Sequence, residues 1–255
     1  MKELILKKLD EIEKQENARI LVAVESGSRA WGFSSPDSDY DVRFIYIRDK
    51  EEYLRLDRTR DVIEYPVTGD LDINGWDIQK ALKLLYSSNP TLFEWFSSPI
   101  VYRETEFAWE LRKIIMRYFS TRKGLHHYLS MAERNCREFL KGEMVKAKKY
   151  FYVLRPILAC LWIMDYRIAP PMLFEELMRE EMDSSVIPEV TDLLRIKREE
   201  PETVLIPRVD KVNEYIERNL LAVKEMISKL PDEVHPEWKE LNTIFLNILG
   251  TYQSL

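Results

Sequence analysis

The chain is short of cysteine, glycine and long apolar runs, and each shortage excludes something. Two cysteines, Cys136 and Cys160, are too few for a disulfide framework and lack the CxxC spacing of a zinc site. A reduced, intracellular setting is therefore expected. No window approaches the ~20 apolar residues of a membrane span. The opening "MKELILKKLDEIEKQ" is charged throughout, with neither the apolar core nor the small-residue cleavage site of a signal peptide. A cytoplasmic protein with no membrane partner is the expectation. With only 7 glycines in 255 residues, the chain should be ordered and helix-rich, and it is long enough to bury a real core. Its formal net charge of -6 argues against a generally basic nucleic-acid coat but leaves room for a local basic site.

What is present changes character partway along. Residues 2–16 carry apolar positions at helical spacing, and "ARILVAVES" then reads as a buried strand ending at the Gly27-Ser28 turn. "DVRFIYI" (41–47), "DVIEYPV" (61–67) and "LDINGWD" (71–77) read as further strands, the last two joined by "TGD", a tight hairpin signal. Helices are expected at 50–56 and 78–87, and Pro90 suits the first turn of another. From about Thr105 strand signals nearly vanish. Helical periodicity then runs through 105–119, 121–140, 143–168, 171–181, 208–229 and 236–249, with "KREEPETVLIPR" (197–208) as a charged, Pro-bounded connection. The pattern predicts a small α/β domain with a mixed sheet, then a larger helical domain, with the boundary near 100–105.

The chemistry concentrates in "ESGSRAWGFSSPDSDYDVRFIYI" (25–47). Alternate residues of a strand share a face, so Asp39 and Asp41 should project together at the strand's start. Two ionised carboxylates this close are disfavoured unless a cation lies between them, and hard oxygen ligands suit Mg²⁺. A calcium loop fails, because Val42 stands where an EF-hand needs Gly and Arg48 where it needs Glu. An isolated Asp-x-Asp is more often a plain polar turn. Gly27-Ser28 changes the balance: following a buried strand, its backbone N–H groups and the Ser28 hydroxyl suit a phosphate. Arg29, next in line, also reaches toward phosphate. Arg43 alternates onto the face of the aspartates and suits an ion pair with them equally well.

"GSRAWGFSSPDSDYDVRFIY" resembles the nucleotidyltransferase signature of the DNA polymerase β superfamily, with Gly-Ser, a ten-residue spacer and Asp-x-Asp in a strand. More closely, the chain is similar to bacterial and phage nucleotidyltransferases associated with RNA repair, the RNA-ligase-associated polymerase β-like proteins. "GWDIQKALKLLYSSNPTLFEWFSSPIVY", "HHYLSMAERN" and "KKYFYVLRPILACLWI" extend the similarity over roughly residues 20–175. The resemblance implies an α+β fold. A polymerase β-like catalytic domain with a small mixed sheet (1–104) would precede an all-helical nucleotide- and substrate-binding domain (105–255).

It also implies a third carboxylate on a neighbouring strand. Asp77 is preferred, since it follows Trp76 at a strand's end and leads into "IQKAL", where the similarity is densest. Asp72, five residues earlier, would face the other way in a regular strand, although a bulge at Gly75 would reverse that. Asp77 also suits a helix N-cap.

Projected on a helix, Lys141, Lys148, Tyr152 and Arg155 share one narrow face, which suits triphosphate binding and base stacking or, more plainly, a solvated basic surface. Pro156 should end or kink that helix.

The implied activity is two-metal phosphoryl transfer. Asp39, Asp41 and Asp77 would hold two Mg²⁺ (or Mn²⁺) ions, and Gly27, Ser28, Arg29, Lys148, Tyr152 and Arg155 would bind an NTP. An RNA 3′ end, such as that of a cleaved tRNA, would accept the NMP with release of pyrophosphate. The alternatives are NMP transfer to a small-molecule or protein hydroxyl, and a non-catalytic nucleotide-binding regulatory module.

Overall fold

A computed structural model describes residues 1–57, 59–67, 69–231, 233–234 and 236–252. Its chain forms two compact units that interleave in sequence. One comprises Met1–Gly27, Asp39–Tyr118 and His235–Leu255; the other comprises Ser28–Ser38 and Phe119–Val234. The units therefore do not part at a single point near residue 104. The last helix returns to the first unit, and the segment between the Gly-Ser turn and the aspartates belongs to the second.

The first unit is built on a five-stranded mixed sheet. Helix α1 (Lys2–Glu16) leads into β1 (Ala18–Glu25) and the single turn α2 (Gly27–Ala30). After β2 (Tyr40–Arg48) come α3 (Lys50–Leu54), β3 (Val62–Glu64), β4 (Leu71–Asp77), α4 (Ile78–Tyr86), α5 (Pro90–Phe96) and β5 (Val101–Glu104). The order is β3-β4-β2-β1-β5, with β2 and β4 parallel and the other neighbours antiparallel. Ile5, Leu9 and Ile12, at helical spacing on α1, bury against Ile20, Ala23, Val42, Phe44, Tyr46 and Ile73 of the sheet.

This packing explains Gly75. It shows no bulge and keeps register opposite Phe44, whose ring lies 2.1 Å from where a Cβ on Gly75 would sit. The glycine makes room for an aromatic ring and leaves the strand straight. The tight-hairpin reading at "TGD" includes residue 68, which lies outside the described residues.

α6 (Glu106–Ile114) and a 3₁₀ turn (Ile115–Tyr118) complete this part of the first unit. The last helix, α12 (Lys239–Thr251), follows Trp238, which stacks on Tyr86 with centroids 3.6 Å apart.

The second unit is helical: α7 (Thr121–Phe139), α8 (Ala147–Tyr166), α9 (Phe174–Glu181), α10 (Ile187–Glu199) and α11 (Asp210–Ser228). A two-stranded ribbon of β6 (Met144–Lys146) and β7 (Leu205–Pro207) accompanies them. The expected helix at 143–168 thus starts later, because 144–146 pair with a strand.

Pro156 neither ends nor interrupts α8. A proline leaves the carbonyl four residues earlier without its helical donor. Here the Asn135 amide of α7 donates to that carbonyl, Tyr152 O, at 3.1 Å. Trp31 and Phe33 explain why their loop belongs to this unit: Phe33 packs on Phe151 and Phe174, and Trp31 meets Tyr152 edge-on.

Candidate active site

Register decides which carboxylates meet. Strand β2 lies between β1 and β4, and its residues alternate between faces. Val42, Phe44 and Tyr46 point into the core, which sends Asp41 and Arg43 to the opposite face. The parallel pairing sets Asp41 beside Asp72, Arg43 beside Asn74 and Tyr46 beside Asp77. Arg43 Nη2 donates to Asp41 Oδ1 at 2.8 Å and to Asp72 Oδ2 at 2.7 Å. Its Nη1 donates to the backbone oxygens of Val42 (3.2 Å) and Asp72 (3.1 Å). The three side chains are partly open, with 19–35% of their surface exposed. Asp39 is exposed and stands one residue ahead of β2.

The carboxylate brought to Asp41 is therefore Asp72. Asp77 lies five residues further along β4, roughly 16 Å at ~3.3 Å per residue, and on the core face. It is buried and caps α4: Gln79 N donates to Oδ1 at 2.7 Å and the Tyr53 hydroxyl to Oδ2 at 2.8 Å. Burial raises its pKa above the usual aspartate value against the pull of these two donors. The preference for Asp77 over Asp72 is corrected by strand register, which spacing along one strand does not reveal.

Behind Asp41 the backbone closes in. Ser26 N donates to Asp41 O at 2.8 Å. Gly27 adopts φ +59°, and a Cβ placed there would lie 2.0 Å from Asp41 Oδ2. Glycine is thus required twice, by conformation and by the carboxylate pressed against it.

Glu25, which sequence reasoning passed over, is fully buried. Its Oε1 accepts from Asp41 N at 2.7 Å, and the Tyr102 hydroxyl donates to its Oε2. A glutamate directly after the apolar run at residues 20–24 was the signal available. Two carboxylates, Asp41 and Glu25, thus flank one peptide, the second anchoring the first.

The other sequence-derived candidates lie in the second unit. Ser28 is mostly buried, and its carbonyl accepts from Phe33 N. Arg29 Nη2 donates to Ser38 O at 2.6 Å, which braces the loop. On α8, Tyr152 is half-buried and Lys148 pairs with Glu202 at 2.5 Å. Arg155 is only 2% exposed, with its guanidinium 4.8 Å from the Trp31 ring. It packs inside the unit instead of lying on an open cationic face, and Lys141 falls before the helix begins.

Lys197, equally buried, was not foreseen either. It reaches Ser35 Oγ (2.8 Å) and Glu202 Oε1 (3.0 Å), so Ser38, Lys148 and Lys197 share one glutamate. Asp37 accepts from Glu202 N at 3.0 Å, a bond that holds its carboxyl below the usual range.

Among the described residues no group of three or more His, Cys, Asp or Glu is arranged to hold a metal. Asp41 and Asp72 nonetheless fit a shared divalent cation in chemistry and placement. Both offer hard oxygens, and both already reach one positive atom, Arg43 Nη2. A cation that draws its remaining ligands from substrate phosphates needs no closed protein cage.

Residues 1–247 match the RNA repair pathway DNA polymerase beta family. The chain belongs to that family. Membership supports a nucleotidyltransferase-type function for a chain that presents paired aspartates beside a Gly-Ser turn. An uncharacterized protein of Bacillus subtilis (strain 168), YcgL, is 46% identical over 249 residues, covering 97% of this chain and 96% of its own. Among solved structures, a nucleotidyltransferase-like protein from Exiguobacterium sibiricum 255-15 aligns over 97% of this chain and 80% of its own. That alignment has 13% identity and a TM-score of 0.31. Among the described residues no helix is long and apolar enough to cross a membrane.

Proposed function

We propose that the protein is a metal-dependent nucleotidyltransferase that moves an NMP from an NTP to the 3′ hydroxyl of an RNA, releasing pyrophosphate. The observation that carries this reading is the convergence of Asp41 and Asp72 from parallel strands, with Gly27 packed against Asp41. Asp41 and Asp72 are the carboxylates assigned to Mg²⁺ or Mn²⁺, and Asp39, exposed just ahead of β2, is retained from the sequence as a further candidate. When bound, a divalent cation neutralises charge on the triphosphate and lowers the proton affinity of the attacking hydroxyl. Gly27, against which the Asp41 carboxylate packs, is retained with Ser28 as the turn whose backbone N–H groups meet a phosphate. Asp72 takes the acceptor's proton as the new oxygen–phosphorus bond forms and the bond to the pyrophosphate oxygen breaks. Ser28, Arg29, Lys148 and Tyr152 are retained as nucleotide-binding groups.

The family's place in RNA repair supports an RNA acceptor. The net charge of -6 favours a second acceptor class, a small-molecule or protein hydroxyl, because RNA affinity draws on phosphate neutralisation. The test is incubation of the purified protein with each α-labelled NTP, Mg²⁺ and a panel of acceptors: RNAs ending in a 3′ hydroxyl or a 3′ phosphate, small alcohols, and proteins. Label should appear only on RNA with an open 3′ hydroxyl and vanish in Asp41→Asn. Label on another acceptor class would move the assignment there, and no transfer to any acceptor would overturn it.

A further inference from the structure

Arg43 makes four hydrogen bonds, and their distribution is unusual for a structural arginine. Nη1 is tied to two backbone oxygens on neighbouring strands, Val42 O and Asp72 O, which fix the guanidinium in place. Nη2 is given wholly to the two carboxylates. Without a positive centre there, Asp41 and Asp72 would face each other in register as like charges, an arrangement that is destabilising on neighbouring strands. Arg43 removes that repulsion.

The same placement has a consequence for metal loading. A divalent ion taken up by Asp41 Oδ1 and Asp72 Oδ2 would arrive where Nη2 now sits, and two cations within a few ångströms repel strongly. We propose that Arg43 is a built-in counter-cation that holds the carboxylate pair together in the metal-free protein and must leave those oxygens when a divalent ion enters. The inference rests on the reading of Asp41 and Asp72 as cation ligands. Arg43 acts through those two side chains and is a positioning residue. Its presence keeps metal affinity low until other negative charge arrives, and the triphosphate of a nucleotide supplies that charge. Once released, the planar guanidinium fork suits a phosphate oxygen, so metal and triphosphate bind cooperatively.

The experiment measures Mn²⁺ binding to the nucleotide-free protein by electron paramagnetic resonance, for wild type, Arg43→Gln, Arg43→Lys and the double variant Asp41→Asn/Asp72→Asn. Arg43→Gln should bind about tenfold tighter than wild type, because the competing charge is gone. Arg43→Lys should stay close to wild type. Metal-free Arg43→Gln should also melt lower than wild type and gain more from added Mg²⁺. A second measurement needs no variant: guanidinium NMR of wild-type Arg43 should show hindered rotation without metal that is released on Mg²⁺ saturation. Unchanged or weaker Mn²⁺ binding in folded Arg43→Gln, or a guanidinium indifferent to Mg²⁺, overturns the inference alone. Binding in the double variant equal to that of wild type overturns the inference together with the ligand reading beneath it.

Discussion

Gly27 and Asp41 are in contact through a space that no other residue could leave open. A Cβ on Gly27 would fall 2.0 Å from Asp41 Oδ2, 2.9 Å from its Cγ and 3.4 Å from its Cβ. Gly27→Ala therefore meets two separate penalties. The φ of +59° costs about 1–2 kcal/mol for a residue with a side chain, and the clash adds to it. In an Asp41→Ala background only the 3.4 Å approach survives, which is ordinary packing. Urea denaturation of the four proteins in this cycle should show Gly27→Ala costing about 1 kcal/mol or more less in the Asp41→Ala background than alone. Equal costs in both backgrounds would mean that Asp41 does not press on the glycine.

Asp77 should behave as a cap. Asp77→Ala removes the acceptor of both Gln79 N and the Tyr53 hydroxyl, at a cost of about 1–3 kcal/mol, whereas Asp77→Asn keeps a capping oxygen. The pH dependence follows from the raised pKa, which burial causes. The folded protein holds this proton more tightly than the unfolded chain, so its contribution is present below the ordinary value of 3.8 and is lost as pH rises through the folded value. Asp77→Asn abolishes that decline. Comparing urea midpoints of wild type and Asp77→Asn from pH 3.5 upward checks the sign: the difference should move in favour of the variant as pH rises.

Glu202 predicts the opposite slope. Burial works against its ionisation, but the hydrogen bonds and charges of Lys148 and Lys197 outweigh burial and bring it to about 2. A folded value below the ordinary 4.5 gives stability that is present above pH 4.5 and is lost as pH falls toward 2. Glu202→Gln should lose stability at pH 6, leaving the buried Lys197 ammonium without its carboxylate, and should approach wild type at pH 3. Parallel loss at both values would assign Glu202 a role that does not depend on its charge.

How much of this was legible in the sequence depended on whether the determining contacts were local. Helix α1 and strand β4 announce themselves by the spacing of their buried residues, and β1 and β2 by runs of buried apolar and aromatic ones. β5 did not, since its four residues are all partly or fully exposed and so leave no buried pattern. α10 was also missed. Its inward set is Val190, Leu193, Leu194 and Lys197, and a lysine at the fourth position disguises the stripe until Glu202 and Ser35 are seen around it. The uninterrupted α8 depended on Asn135, a residue of another helix. Gly27, Asp39 and Asp41 could be picked out by spacing alone. Asp72 could not, because only the parallel register of β2 against β4 separates it from Asp77. Glu25 reads as the polar end of an apolar run until its carboxylate is found on Asp41 N.

The most direct measurement is the rate of label transfer from α-labelled NTP to RNA with an open 3′ hydroxyl, compared among wild type, Asp72→Asn and Asp77→Asn at saturating Mg²⁺. The pairing of Asp41 with Asp72 predicts a loss of at least about a hundredfold in Asp72→Asn. It predicts a rate within about threefold of wild type in Asp77→Asn, since asparagine caps a helix nearly as well as aspartate. The reverse order, with Asp72→Asn active and Asp77→Asn dead, would contradict it.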